Sequence, residues 1–112
     1  MKGGDALVRC LELEGVRYIT GFAGGGLNVL FPALRTSETI KVFATRHERL
    51  GVEVADGYAR ATGQVGVAMT GSGPGATNTV TGLTDALLDS IPILVLSAQV
   101  PTFLIGSDAF QE

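Results

Sequence analysis

The sequence predicts an α/β fold, a parallel sheet flanked by helices and incomplete at its C-terminus. Three observations carry that expectation. Short apolar or β-branched runs alternate with segments of helical spacing, helix first, and strands separated by helices build parallel sheets with right-handed crossovers. One of these runs, Ile91 to Ala98 (IPILVLSA), is apolar nearly throughout, the pattern of a strand buried on both faces. Between Val65 and Ser90 an apolar run breaks at Gly71, Gly73, Pro74 and Gly75 and restarts as a helix. In open α/β sheets the crevice at the carboxyl end of such a strand is where ligands bind.

From Gly4 to Glu14, Ala6, Leu7, Cys10, Leu11 and Leu13 recur at helical spacing, with Lys2, Arg9, Glu12 and Glu14 left for water and Gly15 as the stop. Cys10 reads as a small apolar residue on the core face of this helix. Val16 to Phe22 is the first strand. Gly24, Gly25 and Gly26 follow, where backbone approaches a neighbour closely or takes a positive φ. Leu27 to Leu34 resumes helical spacing, and Pro32 is expected to shorten or kink that helix. Thr39 to Ala44 is the second strand. Arg46, His47 and Glu48 open a helix whose Leu50, Val54, Tyr58 and Ala61 share one face and which Gly63 ends. Val65 to Thr70 is the third strand. Val80, Leu83, Leu87 and Leu88 mark the next helix, with Ser72, Thr77 and Asn78 placed to cap its first amides. Ile91 to Ala98 is the fourth strand. Val100 to Glu112 supplies no closing element, so residues 1–112 read as one truncated domain.

Hydrophobic residues make up 46% of the chain and charged ones 17%, which leaves a surface short of charge and points to a large interface. A net charge of −3 with no basic run argues against a nucleic-acid partner. The single cysteine and single histidine exclude an intramolecular disulfide and offer no metal-ligand pairing. No apolar run approaches the roughly 20 residues of a membrane span, and Met1 leads into an amphipathic helix rather than a signal core. A soluble, cytoplasmic protein without a membrane partner is expected.

Gly71, Gly73 and Ala76 fit the G-x-G-x-x-G/A dinucleotide fingerprint between a strand and a helix. A nicotinamide or flavin site also wants an acidic residue about 20 positions on, at the end of the next strand. Ser97, Ala98 and Gln99 stand there, and Asp89 precedes that strand. No G-x-S-x-G elbow and no Walker lysine after the glycines is present, so hydrolase and P-loop readings lack their parts. Glu48 follows a strand directly and opens a helix, at the rim of the crevice that holds Gly71 to Gly75. It reads either as a functional carboxylate or as a glutamate matched to a helix N-terminus. His47 reads as structural, bonded to a neighbour.

GFAGGG at Gly21 to Gly26, RHE at Arg46 to Glu48 and GSGPGATN at Gly71 to Asn78 occur together with DGYARATG at Asp56 to Gly63, DSIPI at Asp89 to Ile93 and IGSDAFQE at Ile105 to Glu112. In that order and spacing they resemble the amino-terminal pyrimidine-binding domain of thiamine-diphosphate enzymes, with most similarity to the acetolactate synthase (acetohydroxyacid synthase) large subunit. The resemblance covers essentially the whole chain. It implies that Glu48 hydrogen-bonds a ring nitrogen of the cofactor's aminopyrimidine, the proton-sharing step that prepares the cofactor to attack a 2-keto acid. Carbon dioxide then leaves, and the resulting enamine adds to a second keto acid.

By the same resemblance Gly24, Gly25, Gly71, Ser72, Pro74 and Asn78 line the pyrimidine pocket, while Phe110 and Gln111 reach toward substrate and cofactor. The family's usual tyrosine-proline before the double glycine is Phe22-Ala23 here, and its usual threonine before Ser-Gly-Pro-Gly is Gly71. The resemblance also implies magnesium and a diphosphate site outside these residues, FAD as an optional further cofactor, a homodimer or tetramer formed through this domain, and a place in branched-chain amino acid biosynthesis. Another thiamine-diphosphate decarboxylase, acetyltransferase or oxidase, a non-catalytic dimerisation module and a nicotinamide-binding domain are the alternatives. Glu48 argues against the module, and the missing ribose acid against the nicotinamide site.

Overall fold

A computed structural model of the chain describes residues 1–112. Its four strands, β1 (Tyr18–Gly21), β2 (Lys41–Ala44), β3 (Gly66–Thr70) and β4 (Ile93–Ser97), form one parallel sheet in the order β2-β1-β3-β4. β1 pairs with β2 from Tyr18–Lys41 to Gly21–Ala44 and with β3 through Thr20–Ala68 and Gly21–Met69. β3 runs with β4 from Gly66–Ile93 to Thr70–Ser97. The chain thus goes outward from β1 to β2 and returns across β1 to β3, which puts a topological switch point between β1 and β3. This is the parallel α/β sheet with flanking helices that the alternating pattern predicts.

The helices are α1 (Gly3–Leu13), α2 (Phe31–Thr36), α3 (Glu48–Thr62), α4 (Pro74–Thr77) and α5 (Val80–Leu88), with 3-10 turns at Gly25–Val29 and Thr102–Leu104. Gly15, at φ 78°, ends α1: its amide donates to the Glu12 carbonyl and the Val16 amide to the Leu11 carbonyl. Pro32 does not kink a helix running from Leu27 to Leu34. It lies in the first turn of α2, where its missing N–H is no loss, and the residues before it form the separate 3-10 turn.

One face of the sheet carries Ile19, Val67 and Met69, packed against Val8, Leu11, Leu27, Leu30, Leu34 and Ile40. The alternate residue Ala68 faces the other way, onto Val52 and Ala55 of α3. That second face is built from small residues. α3 buries Gly51, Ala55 and Ala59 beside Val52, and α5 buries Gly82 and Ala86. The larger apolar residues of these two helices are outside: Leu50 and Val54 are each 49% exposed, and Leu87 and Leu88 each 78%. The cause is close approach, since a Cβ on Gly66 would stand 2.0 Å from the Ala55 carbonyl oxygen and one on Gly82 2.7 Å from Val52 Cγ1. Large side chains do not fit where Gly66 meets the α3 backbone or Gly82 meets Val52, so the small-residue stripe turns inward.

Two further expectations are corrected. Cys10 is exposed, because Val8 and Leu11 are the residues α1 turns onto the sheet. The Ile91 to Ala98 run is not buried on both faces: β4 lies at the sheet edge, and Leu94 is 40% exposed. Arg60 ties the second layer together, with Nε at 2.6 Å from Asp56, Nη1 at 2.8 Å from Asp89 and Nη2 at 3.4 Å from Asp85.

α1 is tied to the end of α2 by Ser37, whose Oγ donates to Glu12 Oε1 at 2.6 Å, and Arg9 donates to Oε2 at 3.2 Å. The Ser37 hydrogen bond, then that of Arg9, holds the Glu12 carboxyl below its ordinary value of 4.5. A carboxyl whose folded value is lowered adds stability above its unfolded value and loses it as the pH falls through the folded one. A carbon NMR titration of Glu12 is therefore expected to show a midpoint below 4.5, and Ser37→Ala is expected to move that midpoint upward. An unmoved midpoint in the variant would show that Ser37 is not the cause.

Candidate cofactor site

The loops that leave β1 and β3 meet at the switch point. A Cβ on Gly24 would stand 3.0 Å from the Gly71 Cα, so this backbone contact depends on glycine. α3 begins at the same edge of the sheet, just after β2. His47 is its N-cap, with Nδ1 accepting from the Arg49 amide at 3.2 Å, and Thr45 Oγ1 donates to the His47 carbonyl at 2.9 Å. The histidine is structural, as expected from its place beside the helix start.

With His47 serving as the cap, the carboxylate of Glu48 in the first turn of α3 is free to reach across the crevice. Asn78 Nδ2 donates to Glu48 Oε2 at 3.0 Å, so residues 30 positions apart in the chain meet there. The first-turn position also suits a carboxylate electrostatically. The expected capping by Ser72, Thr77 and Asn78 does not occur. Neither α4 nor α5 has a side-chain N-cap. Thr77 Oγ1 donates to the Pro74 carbonyl at 3.1 Å, Ser72 offers its carbonyl to the Gly75 amide at 3.1 Å, and Asn78 is turned to Glu48. Pro74 in the first turn of α4 removes one amide that would otherwise need a cap.

Gly75 is buried beneath this pair. A Cβ there would lie 3.1 Å from Thr70 Oγ1 and 3.4 Å from Glu48 Oε1. Thr70 is 1% exposed and its hydroxyl has no hydrogen-bond partner. Gly25 has open space where a side chain would start. Gln111, at φ 61°, folds the C-terminal loop back so that its Cα would be 2.9 Å from a Cβ on Gly73. Between this loop, α4 and the end of β4 lies a cleft of about 800 Å³ lined by Gly73, Pro74, Thr77, Gln99 and Gln111 among others. Phe110 is 87% exposed and outside that lining, so the structure does not bring it to Glu48. Sequence reading missed Thr70, whose one signal is a hydroxyl closing an otherwise apolar strand, and the bond from Asn78 to Glu48.

Glycine backbone at Gly24 and Gly71 beside the Glu48 carboxylate and the Asn78 amide suits a flat, nitrogen-bearing ring. An open α/β domain so equipped at its switch point belongs to the ligand- and cofactor-binding α/β class. Within that class the chain belongs to the thiamine pyrophosphate enzyme family, whose N-terminal TPP binding domain matches residues 1–112. It is 50% identical over 112 residues to a probable acetolactate synthase large subunit of Methanocaldococcus jannaschii and 50% identical over 112 residues to the acetolactate synthase isozyme 3 large subunit of Escherichia coli. It is 53% identical over 111 residues to the chloroplastic acetolactate synthase 2 of Nicotiana tabacum. These alignments take in 100%, 100% and 99% of this chain but 19%, 20% and 17% of those proteins. The chain spans about a fifth of the length of the curated relatives it matches. No helix is long and apolar enough to cross a membrane.

Proposed function

We propose that residues 1–112 are the pyrimidine-binding part of a thiamine-diphosphate-dependent carboligase of the acetolactate synthase type, which decarboxylates one 2-keto acid and joins the remainder to a second. The observation that carries this reading is the Glu48–Asn78 hydrogen bond, set beside the paired glycine loops. Thiamine diphosphate, when bound, supplies the electron sink that decarboxylation requires. This chain's residues position it and move one proton. Asn78 engages Glu48 Oε2, which leaves Oε1 to accept from, and share a proton with, a nitrogen of the aminopyrimidine. Gly24, Gly25, Gly71, Ser72 and Pro74 present backbone to the ring, and Gln111 closes the cleft side with Phe110 directed to substrate.

Magnesium belongs to the same proposal, and we assign no ligand of magnesium or FAD to these residues. Leu50 and Val54 on α3, with Val80, Leu87 and Leu88 on α5, are exposed apolar side chains that support a homodimer or tetramer formed through this domain. The proposal places the protein in the cytoplasm and in branched-chain amino acid biosynthesis. Its test is to incubate the protein as its source makes it with pyruvate, thiamine diphosphate and magnesium. Acetolactate is the expected product. Decarboxylation without a condensation product would replace the synthase assignment by another enzyme of the family, and failure to bind thiamine diphosphate would overturn the reading.

A further inference from the structure

Thr70 ends β3, and its side chain is among the most completely buried in the chain. Other buried threonine hydroxyls are satisfied: Thr20 Oγ1 donates to the Gly51 carbonyl at 2.6 Å and Thr79 Oγ1 to the Ala76 carbonyl at 2.6 Å. Thr70 Oγ1 alone among them has no partner. A buried hydroxyl without a hydrogen bond is uncommon in native proteins, and valine fills the same volume without the desolvation penalty. The hydroxyl therefore calls for a use that the fold itself does not supply.

Its surroundings indicate that use. Thr70 Oγ1 and Glu48 Oε1 lie 3.1 Å and 3.4 Å from one point, the place where a Gly75 side chain would begin. Any side chain there would crowd both, and the glycine keeps the space open. Glu48 Oε2 is held by Asn78, whereas Oε1 has no hydrogen bond and has two lone pairs to offer. The other unpartnered buried oxygen, Asp56 Oδ1, belongs to a carboxylate already paired with Arg60.

We propose that Thr70 is a positioning residue for Glu48: in the cofactor-loaded protein its Oγ–H donates to Glu48 Oε1, so that Thr70 and Asn78 hold the carboxylate by both oxygens. The second lone pair of Oε1 stays directed at the aminopyrimidine. This inference rests on the functional reading given above, and it adds a residue that the β3 strand hides.

The test uses the complete natural protein and the variants Thr70→Val and Thr70→Ser. A hydrogen bond to a charged group carries roughly a factor of ten or more in an equilibrium. Thr70→Val is accordingly expected to weaken thiamine-diphosphate binding, measured by calorimetry in the presence of magnesium, about tenfold. The same variant is expected to lower kcat by a similar factor of about ten, with the keto-acid KM unchanged. Thr70→Ser restores both, and the cofactor-free Thr70→Val protein melts no lower than wild type because it loses an unpaired hydroxyl. Cofactor affinity and kcat equal to wild type in Thr70→Val would overturn the inference, as would a Thr70→Ser protein as impaired as Thr70→Val. A wild-type protein that binds no thiamine diphosphate would remove the functional reading and this inference together. Normal binding by wild type and Thr70→Val alike removes the inference alone.

Discussion

Glu48→Gln is expected to lower the turnover of 2-keto acid by the complete protein by about 10²- to 10⁴-fold, the range of a positioned acid or base. Glutamine has the same length and keeps an oxygen that Asn78 Nδ2 can still donate to, but its other terminus is an amide that neither accepts from a ring nitrogen nor exchanges a proton with it. The fold has little stake in the charge. His47 caps α3 with or without it, and the only side-chain hydrogen bond Glu48 makes is the one to Asn78. Loss of a first-turn carboxylate costs about 0.3–1 kcal/mol of helix-dipole stabilisation. Turnover and thermal midpoint measured on the same preparation separate the two effects: a large fall in rate with a nearly constant midpoint is expected. A Glu48→Gln protein with the wild-type rate would end the assignment of Glu48 as the proton-sharing group.

The glutamate was legible because strand periodicity is strong in this chain and Glu48 follows a strand almost at once, so its place at the carboxyl edge follows from topology alone. Gly24 and Gly71 were legible for the related reason that glycines clustered at strand ends mark close backbone approach. Asn78 stands near the site, but the capping expected of it does not occur. A polar residue at a helix start looks like a cap, and only the fold reveals that Pro74 shortens that need and that Glu48 lies opposite. The buried face of α3 is not legible in the sequence, for a different reason. Leu50, Val54 and Tyr58 make the stronger apolar stripe, yet hydropathy measures what a face would gain by burial and not how near a neighbouring backbone comes. Where Gly66 and Gly82 allow contact, the weakly hydrophobic Gly51, Ala55 and Ala59 go inside. The larger apolar stripe stays on the outside, with Leu50 and Val54 each 49% exposed.

That packing argument has its own expected result, in Gly66→Ala. The new Cβ would lie 2.0 Å from the Ala55 carbonyl oxygen, 2.6 Å from its carbon and 3.1 Å from its Cα. All three atoms are α3 backbone, so no side-chain rotamer relieves the overlap and the helix must lift from the sheet. Ordinary overpacking of a core costs about 1–3 kcal/mol. A clash with fixed backbone belongs at or beyond the top of that range, against a total domain stability of about 5–15 kcal/mol. Gly57→Ala is the control: Gly57 lies in the same helix, is exposed, and has nothing within 4 Å of its would-be Cβ. There alanine is expected to stabilise by about 0.4–1 kcal/mol through the unfolded chain. Thermal denaturation of the two variants should move in opposite directions, and equal midpoints would refute the account of α3 seating. The consequence reaches the site, because α3 carries Glu48 in its first turn, and a helix lifted at Ala55 shifts the carboxylate away from Asn78 and Thr70. Gly66→Ala should therefore weaken thiamine-diphosphate binding even at temperatures where the variant is fully folded.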